Sequence, residues 1–551
     1  RNRSVPIRVA SPMSLVSPAF LLAVLGLLSG RRIAALGAGV PTVHVPGYGL
    51  LTGSWHRDAG VRLFAGIPYA AAPVGDLRWR PPQPAPSAPS GKVNATAFGA
   101  PCPQISSGKV IGSEDCLTLN VYAPRAGEQS RPVLVWLHGG SYVKGTANIG
   151  LKHTWGPLYD GTGLAEEGAV VVTVQYRLGV FGFLGSQALR GRDPKASSGN
   201  YGLLDQRLAL QWVQEHIGAF GGNPKQVLIF GQSAGAGSVE HHLTAPGSRG
   251  LFAAASMQSG ADAFWNVQSW RASQRKFSSL LRKVKCPDVP CLLRLSTGEL
   301  VDATQDFSFA ATVDGVEVKD YPWRLVQQGK VHKVPLIVGY NRDEAMPGPN
   351  QLNMTEADFD TLLKSQGVAQ HLRARVKAEY TAQYTQWYWA AQHFTADYSV
   401  ACPARRFARA ASDAGLPVYA YKFSRPPSFS VELLYGAGCT DSAPPWVWGS
   451  YHGAELAFVF GLAEVPSWDV RLSASERQLG KEVSNHWLAM ASRGRPSSSW
   501  PAYANRKGQQ QWLLLDSMGK VVVNEERLLP QCDVVDDVGS LEEGQAEAFE
   551  V

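Results

Sequence analysis

Between Val133 and Phe230, short apolar runs alternate with a helical pattern, and this alternation restricts the fold more than any other feature. Val133–Leu137, Val170–Tyr176 and Val227–Phe230 read as strands, and Leu204–Ile217 carries helical spacing. Such alternation calls for crossover units on a mostly parallel sheet. The run Val170-Val-Val-Thr-Val is apolar at both parities, as expected of a strand covered by helices on its two faces. Pro335–Gly339 and Val418–Phe423 supply further strands, and the Pro-rich stretch Arg80–Pro89 reads as a surface loop. An α/β fold with a central sheet flanked by helices is therefore predicted.

Phe230-Gly231-Gln232-Ser233-Ala234-Gly235 closes the last of these strands and opens a helix-compatible segment. A Gly-x-Ser-x-Gly in that setting has the pattern of a nucleophile elbow, a turn so tight that a side chain at either glycine would clash while the serine stands exposed above the strand ends. Upstream, Trp136-Leu137-His138-Gly139-Gly140-Ser141-Tyr142 places a glycine pair directly after a strand. Such a loop can aim the N–H groups of Gly140 and Ser141, with that of Ala234, at a developing oxyanion. Either motif alone has a structural explanation: serine caps helices and glycine pairs turn chains.

Four stretches occur in the order and approximate spacing of one family. They are Glu114-Asp-Cys-Leu-Thr-Leu-Asn-Val-Tyr122, the His-Gly-Gly loop, Gly199-Asn-Tyr-Gly-Leu-Leu-Asp-Gln206 and the elbow. From about Pro46 to Cys532 the chain resembles the type-B carboxylesterase and cholinesterase family, which implies an α/β-hydrolase fold and a serine carboxylesterase that needs no cofactor and no metal. Gly339-Tyr-Asn-Arg-Asp-Glu344 matches the stretch that holds the family's catalytic acid, so the resemblance implies Glu344 in that role. His452-Gly-Ala-Glu455 before Phe458–Gly461 matches the histidine stretch and implies His452. The order Ser233, Glu344, His452 is that of the fold. By the same resemblance Ser259 supports the acid, and Cys102 pairs with Cys116, Cys286 with Cys291 and Cys402 with Cys532, leaving Cys439 over. Trp265 suits either an acyl pocket or the core.

The chain departs from the family pattern at four places. Gln232 stands where glutamate is usual, as in juvenile hormone esterases. Ser141 replaces a third glycine, as in the noncatalytic neuroligins, which keeps an adhesion or binding module as the alternative function. Ala345 follows the acid where glycine is common. The segment from Cys102 to Cys116 contains no aromatic residue, so the cation–π surface that binds choline has no counterpart there.

Composition mainly excludes. The formal charge is +7, but Arg1, Arg3, Arg8, Arg31 and Arg32 stand in the first 32 residues without an acid, leaving +2 for the rest. No run of Lys and Arg interleaved with aromatics is evident, so a nucleic-acid or anionic-membrane partner is not expected. The apolar stretch after Met13 is shorter than the roughly 20 residues of a spanning helix and reads as a secretory signal within residues 1–38; left uncleaved, it would anchor the chain in a membrane. An exported protein accords with seven cysteines lacking Cys-x-x-Cys spacing and with acceptor sequences for glycosylation at Asn94 and Asn353. The hydrolase domain is expected over 39–532, with an acidic solvated tail over 533–551. The partner implied is a small-molecule ester; oligomeric state is not legible. His241 and His242 follow the elbow but, being adjacent, do not share a helix face suited to a metal.

Overall fold

The computed structural model describes residues 39–539 except 57–59, 88–90, 126–129, 151–153, 345–352, 430–447 and 517–518. The chain divides into Arg1–Pro41 and Thr42–Val551. In the first unit only residues 39–41 are described, so the expected signal segment lies outside the described residues, as do Ala345 and Cys439. Among the described residues no helix is long and apolar enough to cross a membrane.

Among the described residues the larger unit is built on an 11-stranded sheet. In chain order its strands are β1 (Ser54–His56), β2 (Val61–Pro68), β3 (Thr118–Ala123), β4 (Arg131–Leu137), β5 (Val170–Val174) and β6 (Gly222–Gln232), followed by β7 (Ala254–Gln258), β8 (Leu336–Asn341), β9 (Val418–Phe423), β10 (Gln511–Asp516) and β11 (Gly519–Asn524). In space they run β11-β10-β9-β8-β7-β6-β4-β5-β3-β2-β1. Neighbours from β5 across to β10 are parallel; β11 at one edge and β3, β2 and β1 at the other are antiparallel. The predicted parallel, helix-covered sheet is present, and it is an α/β-hydrolase fold.

Burial follows the strand period. In β4, Val133, Val135 and Leu137 enter the core on one face, and Leu134 and Trp136 enter the core on the other. Helix α1 (Tyr201–His216) and helix α2 (Ala234–Thr244) supply Leu210, Val213, Ala236 and Val239 to the first core. The late helix over Ala474–Arg493 supplies Val483, Trp487 and Met490 to the second. With apolar cover on both faces, β5 is buried at every position, which is why its sequence shows no alternation.

Two of the sequence stretches turn out to hold buried ion pairs. Glu114 accepts both Arg78 Nη2 (2.6 Å) and Nε (2.8 Å), and Asp205 on α1 accepts Arg177 Nη2 (2.7 Å), Nε (2.8 Å) and the Arg177 backbone N–H (3.0 Å). The second pair ties the end of β5 to α1.

Among the described residues the disulfides are Cys102–Cys116, Cys286–Cys291 and Cys402–Cys532, the pairing implied by the resemblance. The acidic stretch expected as a solvated tail begins differently. Cys532–Gly539 is helical, with Asp533 paired to Arg405 at 2.9 Å and Asp536 paired to both Arg405 and Arg406. Those arginines stand some 130 positions earlier in sequence, on the helix Cys402–Asp413 that also carries the disulfide partner. Residues 540–551 lie outside the described residues.

Candidate active site

Strands β4 and β6 are neighbours, yet the chain leaves β4 toward β5 on one side and β6 toward β7 on the other. At such a reversal the connections diverge and open a crevice at the carboxyl ends of the strands. The loop after β4 and the turn after β6 are the two motifs singled out in the sequence.

The turn after β6 is strained where a nucleophile elbow should be. Ser233 has φ 58° and ψ −128°, outside the regions that side chains ordinarily occupy. A Cβ on Gly231 would lie 2.4 Å from the backbone of Gly235, and one on Gly235 would lie 2.0 Å from the carbonyl oxygen of Leu137. Both glycines are therefore obligatory, for the clash reason the spacing suggested. The Ser233 N–H donates to the Gln258 carbonyl on β7 (2.9 Å), and the Ser233 carbonyl accepts from Gly237 in α2 (3.1 Å).

The loop after β4 lies against this turn. A Cβ on Gly139 would meet Ser233 Cβ at 2.9 Å. His138 is buried, stacked on Tyr176 and in contact through Nδ1 with the Gly139 carbonyl; burial pushes its pKa down to about 4 against that hydrogen bond, so it stays neutral. Gly140, Ser141 and Tyr142 all have positive φ, and the Gly140 carbonyl accepts from Val143 and Lys144. Ser141, at φ 54°, holds a left-handed conformation that a small polar residue tolerates. Among the described residues no hydrogen bond engages the N–H of Gly140, Ser141 or Ala234.

Glu344 follows β8 and is buried. Its Oε1 accepts the Asn341 N–H at 2.6 Å, and its Oε2 lies 2.6 Å from His452 Nδ1. The His452 loop is clamped by the neighbouring acid: Asp343 N–H donates to Ser450 O (3.0 Å), and Ser450 N–H donates to Asp343 Oδ2 (2.7 Å). Burial alone would lower the His452 pKa, but the Glu344 carboxylate and its hydrogen bond outweigh it, with Glu455 adding to them, and hold the imidazole above its ordinary range.

Glu455, three residues after His452 and without a role evident in the sequence, links these parts. It is buried; its Oε1 accepts from Gln258 Nε2 (3.1 Å) and its Oε2 from Asn341 Nδ2 (2.5 Å). Burial first, and the nearby Glu344 charge second, push its pKa up to about 7. Hydrogen bonds thus run from the Ser233 amide through Gln258, Glu455, Asn341 and Glu344 to His452. The Ser233 hydroxyl itself makes no hydrogen bond among the described residues; such contacts commonly tighten only when substrate is bound.

Ser259 does not play the part expected of it. Its hydroxyl is buried without a partner among the described residues, and the acid is held by the Asn341 amide instead. Trp265 packs against the core as a partly buried side chain. His241 contacts the Asn266 carbonyl, and His242 bridges Ser248 and Gln206, so both are engaged in packing contacts; burial lowers both pKa values. Among the described residues no group of His, Cys, Asp or Glu is placed to hold a metal ion. In comparison with known protein families, the model of the carboxylesterase family matches residues 40–532.

Proposed function

The chain belongs to the carboxylesterase family, and from that premise we propose that it hydrolyses small carboxylic esters through an acyl-enzyme on Ser233. His452, neutral at its Nε2, takes the proton of the Ser233 hydroxyl as the oxygen attacks the ester carbonyl. Glu344 accepts from Nδ1, which fixes the tautomer that leaves Nε2 free, and stabilises the imidazolium that forms. The amides of Gly140, Ser141 and Ala234 face the oxyanion, each worth roughly 3 kcal/mol in such a site. The tetrahedral intermediate collapses with the alcohol leaving on the proton from His452. Water, deprotonated by the same imidazole, then releases the acid and restores Ser233.

The observation that carries this reading is the 2.6 Å contact of His452 Nδ1 with a buried carboxylate that follows a central strand of the sheet that also presents a strained serine. The adhesion alternative drew on Ser141, but at φ 54° a serine keeps its amide in the loop much as glycine would. The decisive experiment compares hydrolysis of short and medium p-nitrophenyl esters by the protein and by Ser233→Ala. Loss of turnover in the variant supports the mechanism; a parent no faster than the variant refutes it.

The remaining expectations belong to the same proposal. Residues 1–38 form an extension and signal, the catalytic domain spans 39–532, and 533–551 form a C-terminal segment whose first part docks on the domain. The three disulfides are compatible with a secretory-pathway protein. Asn94 and Asn353 are exposed, as glycan acceptors must be.

A further inference from the structure

The glycine loop after β4 is braced from outside by a side chain that belongs to neither the sequence motifs nor the triad. Gln104, 4% exposed, opens the hairpin that pairs Gln104–Ser106 with Lys109–Ile111, within the segment closed by the Cys102–Cys116 disulfide. Its Nε2 donates to the Gly145 carbonyl (2.8 Å) and the Cys102 carbonyl (3.0 Å), and its Oε1 accepts the Gly145 N–H (2.8 Å). Two carbonyls face the nitrogen and one N–H faces the oxygen, so the amide has a single usable orientation. One side chain thus holds both main-chain groups of Gly145, 41 positions away in sequence.

Gly145 brings the loop back onto its own beginning. It has φ 126°, and an added Cβ would lie 2.4 Å from His138 Nδ1 and 2.5 Å from the Gly139 carbonyl oxygen. The Gly139 carbonyl and the Gly140 N–H belong to one planar peptide, so whatever fixes that oxygen also aims the N–H. Gly179 anchors the middle of the loop at the Tyr142 carbonyl (2.7 Å), whereas Gln104 anchors the end that lies against the Gly139–Gly140 peptide. Further on, Gln175 accepts the Ala147 N–H (3.1 Å) and Asn120 donates to the Ala147 carbonyl (3.2 Å), which secures the exit from the loop.

We propose that Gln104 is a positioning residue for ester hydrolysis, holding Gly145 so that the Gly139–Gly140 peptide keeps the Gly140 N–H aimed at the oxyanion before substrate arrives. This role presupposes the acyl-enzyme mechanism on Ser233. A donor fixed in advance needs no reorganisation as the negative charge develops, so the brace acts on the transition state and hardly on the neutral ester.

The test compares the parent with Gln104→Leu, which keeps most of the side-chain volume and removes its hydrogen bonds, and with Gln104→Asn, which keeps the amide one methylene short. Gln214→Leu is the control: its Nε2 also donates to two backbone carbonyls, those of Pro224 and Leu251, near the starts of β6 and β7 and away from the strand ends that carry the site. Gln104→Leu should lower kcat/KM for p-nitrophenyl acetate about a hundredfold, the cost of a catalytic group misplaced by roughly 1 Å. Its Ki for octyl trifluoromethyl ketone should rise by a similar factor, because the Ser233 adduct of that ketone places an oxyanion in the hole. Its Ki for octyl methyl ketone, bound as the neutral ketone, should stay within about twofold of the parent's. Hydrogen exchange over residues 138–145 should quicken in the same variant, Gln104→Asn should fall between it and the parent, and Gln214→Leu should match the parent throughout. Should Gln104→Leu fail to fold, Gln104→Asn carries the same comparison. Full activity in both Gln104 variants, equal weakening of the two ketones, or an equal loss in Gln214→Leu would overturn the proposal and leave the hydrolytic reading standing. A parent no faster than Ser233→Ala would refute that reading itself, and this role with it.

Discussion

Replacing Glu344 by glutamine isolates the role of one proton. In the parent both carboxylate oxygens accept: Oε1 from the Asn341 backbone N–H and Oε2 from His452 Nδ1. A glutamine side chain has one acceptor and one donor end. The Asn341 amide is buried and can only donate, so the glutamine oxygen must face it and the amide nitrogen must face His452. Nδ1 then becomes the acceptor and the proton moves to Nε2, the atom that on the proposed mechanism must be free to accept the serine proton. A tautomer fixed the wrong way lowers kcat by about 10⁴ in a triad of this type, or roughly 5.5 kcal/mol in the barrier. The charge that held the imidazole up is lost as well, leaving burial to dominate, so the residual activity should show its acid limb below pH 6.5. The assay is kcat/KM for p-nitrophenyl acetate from pH 5 to 9, with Glu344→Asp as the variant that keeps two acceptors. A Glu344→Gln enzyme within tenfold of the parent, or one whose acid limb stays where the parent has it, would refute the reasoning.

On the proposed mechanism, activity requires neutral His452, whose pKa is raised by Glu344, so kcat/KM should fall on the acid side with a midpoint above 6.5; a midpoint at or below 6.5 contradicts the pairing. Asp205→Asn leaves Arg177 buried with its charge uncompensated and should lower stability by about 3–5 kcal/mol, read as a shift of the urea midpoint at constant slope. A loss under 1 kcal/mol would show that the pair is not anchoring β5. Gly235→Ala drives a Cβ into the Leu137 carbonyl, a backbone atom that cannot retreat, and should abolish turnover with a clear drop in Tm. Gly218→Ala, whose Cβ meets nothing within 4 Å, should change stability by no more than about 0.5 kcal/mol.

The parts legible in the sequence are those set by local geometry. A strand buried on both faces declares itself by unbroken apolarity, as Val170–Val174 does, and the elbow glycines Gly231 and Gly235 declare themselves because no side chain fits between them and the backbone of Leu137. Glu344 and His452 were reachable only through family resemblance, since 108 residues separate them and nothing in either local stretch specifies the other. Glu455 was in plain view beside His452, but its role depends on Gln258 and Asn341, which reach it across the ends of two strands. The same holds for Asp533 and Asp536, which look like a solvated run until Arg405 and Arg406 are brought opposite them. Ser259 shows the converse: a motif can match while the contact expected of it is made by another atom.

Beyond the central crossover the strands take their places in the order of synthesis: β6, then β7, β8, β9, β10 and β11, each added to the outer side of the one before. The sheet can therefore grow by accretion during translation, without any later strand having to wedge between two earlier ones. Each stage leaves a temporary parallel edge open to mispairing until the next strand covers it, and β11, antiparallel to β10, is the last strand added on that side. Ser233 is in position early in this sequence, whereas His452 follows β9, so more than 200 residues separate the strained serine from the base proposed to activate it. The proposed triad thus stays unassembled until most of the scaffold exists.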